Sequence, residues 1–141
     1  MAEFNQFDVF VRDLAMARHN LTTDAFKIRL TNAAPSATMD VIACITTIAT
    51  GNGYSTDIAL AIATAALSGS TFELAFTDTT VEASTAGAIA AFQYAVLYNS
   101  ESTAGGLIGW WNYGTAINLA AEEKVVLDFD STNNTIKISS T

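Results

Sequence analysis

The hydrophobic period of the chain changes near residue 25, and this change limits what it can fold into. Over residues 4–21, Phe4, Phe7, Val11 and Leu14 recur at helical spacing, and Phe10, Ala17 and Leu21 extend the stripe. That spacing puts one apolar face on a helix. Glu3 and Asp8 stand near its start and Arg18 and His19 near its end, the order a helix dipole favours. Asn20 is the expected terminator. The sequence therefore predicts an amphipathic N-terminal helix over about 4–20. An isolated short helix needs no such stripe, so it must dock on something: the chain's own core, or, for part of the stripe, another subunit.

After residue 25 the period is two. Phe26, Ile28 and Leu30 alternate with Lys27, Arg29 and Thr31, as in a half-buried strand. Pro35 then breaks the pattern, and 41–49 is apolar and β-branched, predicting a second extended segment. Gly51-Asn52-Gly53 signals a turn. Residues 58–67 are rich in alanine, which favours helix, yet Ile58, Leu60 and Ile62 alternate with Ala59, Ala61 and Ala63. The flanking Gly53 and Gly69 favour one strand there, with a small-residue face open to close packing.

Further strands are expected at 71–77 (Phe72, Leu74 and Phe76 on one face), 80–84, 89–98, 107–113 and 117–119. Val125, Leu127 and Phe129 predict another. The run Asp130-Ser131-Thr132-Asn133-Asn134 reads as a hairpin loop before a last strand with Ile136 and Ile138. Short strands with turns about every ten residues describe a mainly β fold, an antiparallel β-sandwich or a jelly-roll-like barrel. With 141 residues, half of them hydrophobic, the chain suits one globular domain, a helix at about 4–20 beside a β domain at about 25–140.

Charge narrows the partners. Fourteen acids against six bases give a net −8. Phosphate recognition needs Lys and Arg, so nucleic acid and anionic membrane surfaces are disfavoured. The start, Met1-Ala2-Glu3-Phe4-Asn5, lacks a basic stretch followed by an apolar one, and the longest charge-free run, 102–121, holds Asn112 and Asn118. The expectation is a soluble protein made in the cytoplasm.

Catalytic chemistry is poorly supplied. The only histidine, His19, falls in the expected last helical turn, where a surface cation is the simplest role. The only cysteine, Cys44, sits in an apolar run and reads as a buried small hydrophobe. One His and one Cys without metal-ligand spacing predict no zinc site. Asp128 and Asp130 share a strand face and Glu122 and Glu123 are adjacent, a pattern read as solvated charge rather than a glycosidase pair. Residues 128–134 loosely suggest calcium ligands, but they lack the glycine and terminal Glu of an EF-hand. No catalytic residue, cofactor or metal is expected.

Trp110, Trp111 and Tyr113 remain. Adjacent residues on a strand point to opposite faces, so one Trp can fill the core while the other reaches a second surface. Such aromatics anchor subunit interfaces or stack on sugars. The expected interface residues are Phe4, Phe7, Phe10 and Val11 of the stripe, with Trp110, Trp111 and Tyr113.

Several segments, in order, resemble a family of small structural proteins of tailed bacteriophages. They are Phe4-Asn5-Gln6-Phe7, Asp13-Leu14-Ala15, His19-Asn20-Leu21, Leu30-Thr31-Asn32-Ala33-Ala34-Pro35 and Gly51-Asn52-Gly53-Tyr54. The most specific are Tyr94-Ala95-Val96-Leu97-Tyr98-Asn99 and Leu107-Ile108-Gly109-Trp110-Trp111-Asn112-Tyr113-Gly114. The resemblance implies a minor capsid or decoration protein on the outside of the virion head, bound to the major capsid protein. It further implies a homotrimer at three-fold positions and no active site. The alternative is a tail or fibre component that binds host-surface glycans.

Overall fold

The computed structural model describes residues 2–129 and 136–140. Its elements in chain order are β1 (Glu3–Gln6), α1 (Asp8–Ala15), β2 (Phe26–Thr31), β3 (Asp57–Ala59), β4 (Ile62–Ser68) and β5 (Thr71–Phe76). There follow β6 (Thr79–Glu82), β7 (Ile89–Asn99), β8 (Leu107–Leu119), β9 (Lys124–Leu127) and β10 (Ile136–Ser139). The strands form an antiparallel β-sandwich. One sheet has the order β1-β8-β7-β2-β3, a second β10-β5-β4, and β6 pairs with β9. The main core is built from inward side chains of both larger sheets, among them Phe26, Ile28, Leu30, Leu74, Phe76, Leu97 and Trp111.

The N-terminal stripe is corrected at its beginning and its end. Phe4 lies in β1, where it pairs with Trp111 of β8, and Phe7 is the residue before α1. The strand continues through the Phe7 N–H, which bonds the Ile108 carbonyl at 3.0 Å. Sheet pairing wins here because Gly109 lies opposite Gln6. A side chain at 109 would run into the Phe4 ring and the Asn5 carbonyl, so glycine lets β1 lie flat on the sheet. At the other end, α1 stops at Ala15 rather than Asn20. Ala17 adopts φ 56°, the Arg18 N–H bonds the Asp13 carbonyl at 2.9 Å, and the Ala17 N–H bonds Leu14 at 3.1 Å. This pair of bonds is the Schellman helix stop, with alanine where glycine is usual.

Residues 41–49 are not a strand. They hold one 3-10 turn, Ile42–Cys44, in a long segment laid over the outer face of the five-stranded sheet. There Ile45, Met39 and Ile42 pack with Phe7, Val9, Val96, Tyr98 and Leu107 as a second core. Side-chain donors hold this segment in place. Arg29 Nη1 donates to the carbonyls of Ile42 (3.0 Å) and Ile45 (3.1 Å). Arg29 is itself fixed by two bonds to Asp57, each 2.9 Å, and Tyr98 donates its hydroxyl to Asp57 at 2.8 Å.

The expected strand over 58–67 changes sheets partway along. The Leu60 N–H bonds Phe26 of the first sheet at 3.0 Å, whereas the Ala61 carbonyl accepts from Thr77, after β5 of the second, at 2.9 Å. The two strands expected at 107–113 and 117–119 are one, β8, bent at Gly114 with φ 83°. The hairpin loop expected at 130–134 lies outside the described residues.

Candidate interaction surfaces

The seven expected interface residues divide by burial. Phe7, Phe10 and Trp111 are 0%, 3% and 1% exposed, inside the chain's own cores. Phe4, Trp110 and Tyr113 are half-buried, and only Val11 of α1 is well exposed, at 62%. The two tryptophans point to opposite faces, as alternation requires. Trp111 packs between Phe4 and Phe129, with ring centroids 4.9 Å from each. Trp110 lies on the outer face against Phe7, 4.5 Å away, with Asn5 opposite it across the ladder.

Other apolar side chains are exposed where the sequence reading did not place an interface: Met16 at the end of α1, Leu67 on β4, Val126 on β9 and Ile138 on β10. Two shallow grooves accompany them. One runs between the end of α1 and the second sheet, lined by Leu14, Ala17, His19, Leu21, Phe72 and Ile138. The other is lined by Ala2, Tyr113, Val125, Val126 and Asp128. Burial, and secondarily the charge of Asp128, pushes the Tyr113 hydroxyl well above its ordinary range.

His19 is buried, contrary to the surface cation expected, because the helix ends before it and the chain folds back over β7. Asn99, also buried, gives its amide hydrogens to His19 Nδ1 (3.1 Å) and Asp24 Oδ2 (2.6 Å). Nδ1 is thus an acceptor, and the neutral ring carries its hydrogen on Nε2. Nε2 has no hydrogen-bond partner among the described residues. Desolvation lowers the His19 pKa, and the charges of Asp13 and Asp24 oppose this. Asp13, nearly fully buried, accepts from Arg12 at 3.0 Å and Arg18 at 3.3 Å. Ser102 Oγ, which donates to the Asn99 carbonyl, accepts from the Gly106 N–H at 2.7 Å. The Asn99 bonds tie the segment after α1 to the end of β7, and none of these bonds aligns His19 with a nucleophile.

Cys44 is exposed rather than buried, since the 3-10 turn leaves it on the solvent side, 3.7 Å from Asp40 Oδ1. Asp128 is exposed, Glu123 accepts from the Ala120 N–H, and Asp130 with the rest of the loose calcium-like run lies outside the described residues. Among the described residues no cluster of three metal-ligating side chains occurs, and no helix is long and apolar enough to cross a membrane.

The class that the fold defines is therefore an antiparallel β-sandwich with a short N-terminal strand and helix. The chain matches no family model, no curated protein and no solved structure.

Proposed function

We propose that the protein decorates the outside of a bacteriophage head by binding the major capsid protein, as a homotrimer. The observation that carries the reading is the ordered set of segments resembling phage decoration proteins, above all 94–99 and 107–114. These two form the central strand pair β7 and β8. Exposed apolar surface supports it: Val11 and Met16, at 62% and 55%, are free to enter a contact without disturbing the core. Many copies on a lattice stabilise a shell by linking neighbouring capsomers.

Co-sedimentation with phage heads that lack the protein tests the reading. Saturable binding by trimers of the 14.9 kDa chain, alone or paired into six copies, is expected. Heads that stay bare overturn it. Val11→Asp and Met16→Asp keep the fold and weaken head binding if α1 makes the contact.

The half-exposed Trp110, with Asn5 and Asn112 on the same face, favours the second reading, a glycan-binding tail or fibre protein. An aromatic ring flanked by amides can stack on a sugar and bond its hydroxyls. Immunogold labelling at the tail tip rather than around the head would favour it.

A further inference from the structure

Among the described residues, five of the six edge strands carry a charged side chain: Glu3 in β1, Asp57 in β3, Glu82 in β6, Lys124 in β9 and Lys137 in β10. Charge on an edge is how sheets avoid adding another strand. The exception is β4, Ile62–Ser68, whose seven residues hold no charge and no proline. It is also the longest edge strand, the others having three or four residues. Its pairing with β5 leaves the outward N–H and C=O groups of alternate residues unpaired by any other strand of the described chain.

A second observation concerns Leu67. Register places Leu67 opposite Phe72, and Phe72 opposite Ile138. Directly paired residues share a face, so this row points to the same side as Leu74, which is fully buried in the core. Yet Leu67 is 70% exposed. The core-facing side of the sheet is thus left uncovered at its β4 edge. A further strand along that edge sets side chains beside Leu67 on the same face while satisfying the open backbone groups.

The occupant follows from charge. The chain carries −8, so two copies repel wherever acids face each other. Residues 58–72 contain no ionisable side chain, so of the edge strands among the described residues β4 is the one along which like copies approach at least electrostatic cost. An uncharged edge also matches itself better than it matches the guarded edges. We propose that β4 pairs antiparallel with β4 of a second copy across a two-fold axis, joining two three-stranded sheets into one of six strands. The contact is independent of the decoration reading. Trimers that use it pair into six copies, and single chains that use it form dimers.

Native mass by sedimentation equilibrium tests it. An even multiple of 14.9 kDa is expected for the wild type, two or six, falling to half in Leu67→Lys with an unchanged circular dichroism spectrum. Thr64→Lys, on the exposed opposite face of β4, serves the same purpose should Leu67→Lys fail to fold. A monomeric or trimeric wild type overturns the proposal, as does a folded variant that keeps the wild-type mass. A trimer that binds heads would overturn only the β4 pairing, whereas a β4 dimer that ignores heads would overturn only the decoration reading.

Discussion

Trp111 occupies the position where the most packing depends on one side chain. Its ring is 1% exposed between Phe4 and Phe129, and thereby joins β1, β8 and the residues after β9. Trp111→Ala is expected to lower the unfolding free energy by about 3–5 kcal/mol, read from a denaturant midpoint. Trp111→Phe costs less than the truncation, because it keeps a ring and removes an indole N–H without a partner among the described residues. His19 makes a prediction of different sign. Its pKa is lowered on folding, chiefly by desolvation. Above pH about 6.5 the ring is neutral in both states and contributes no pH dependence. Below it the unfolded chain takes up a proton that the folded ring refuses, so stability falls with pH until the lowered folded pKa is reached. An NMR titration of the imidazole should give a midpoint under about 6.5, and a midpoint at or above that value contradicts the burial argument. Alternation told that Trp110 and Trp111 take opposite faces, but not which of them fills the core. It could not place His19, whose partners Asp24 and Asn99 lie in a loop and a distant strand that only the tertiary fold brings to it.

Helical spacing at 4–21 is carried by residues that do three different jobs. Phe4 belongs to a strand, Phe7 to a junction, and Phe10 and Leu14 to a true helix. A spacing of three or four cannot separate these cases once a strand turns directly into a helix. Strands with alternating apolar residues, β2 and β5, were legible because those side chains, Phe26, Ile28 and Leu30 in one and Phe72, Leu74 and Phe76 in the other, all face the main core. The 41–49 segment was not, because its conformation is set by Arg29, a donor on another element. The stop after α1 has a clear consequence. Ala17 is exposed and sits at φ 56°, a conformation that costs an L-residue about 1–2 kcal/mol. Ala17→Gly relieves this, offset by the greater freedom of glycine in the unfolded chain. A net gain of about 0.5–1 kcal/mol is expected, visible as a raised melting temperature. A lower melting temperature would show that the turn does not depend on this backbone angle.

At the scale of the whole molecule, charge and exposed apolar surface act against each other. If the protein decorates a head as proposed, copies of net charge −8 arrayed on a shell repel at low salt, where the Debye length is about 30 Å at 0.01 M. At about 0.15 M it is about 8 Å, and most of that repulsion is screened. A contact made through Val11 and Met16 is apolar and is not weakened by screening. Binding to heads should therefore strengthen, in saturation and in apparent affinity, between these two salt concentrations. The opposite trend is expected of a protein gripping its partner through ion pairs, since the same screening would loosen each of them. The six bases leave few cations for such a grip. Arg29 is already bound to Asp57, and Arg12 and Arg18 to Asp13. Co-sedimentation measured across this salt range thus tells which surface makes the contact: rising occupancy supports the exposed Val11 and Met16, and falling occupancy transfers the contact to the acidic side chains and a basic patch on the shell.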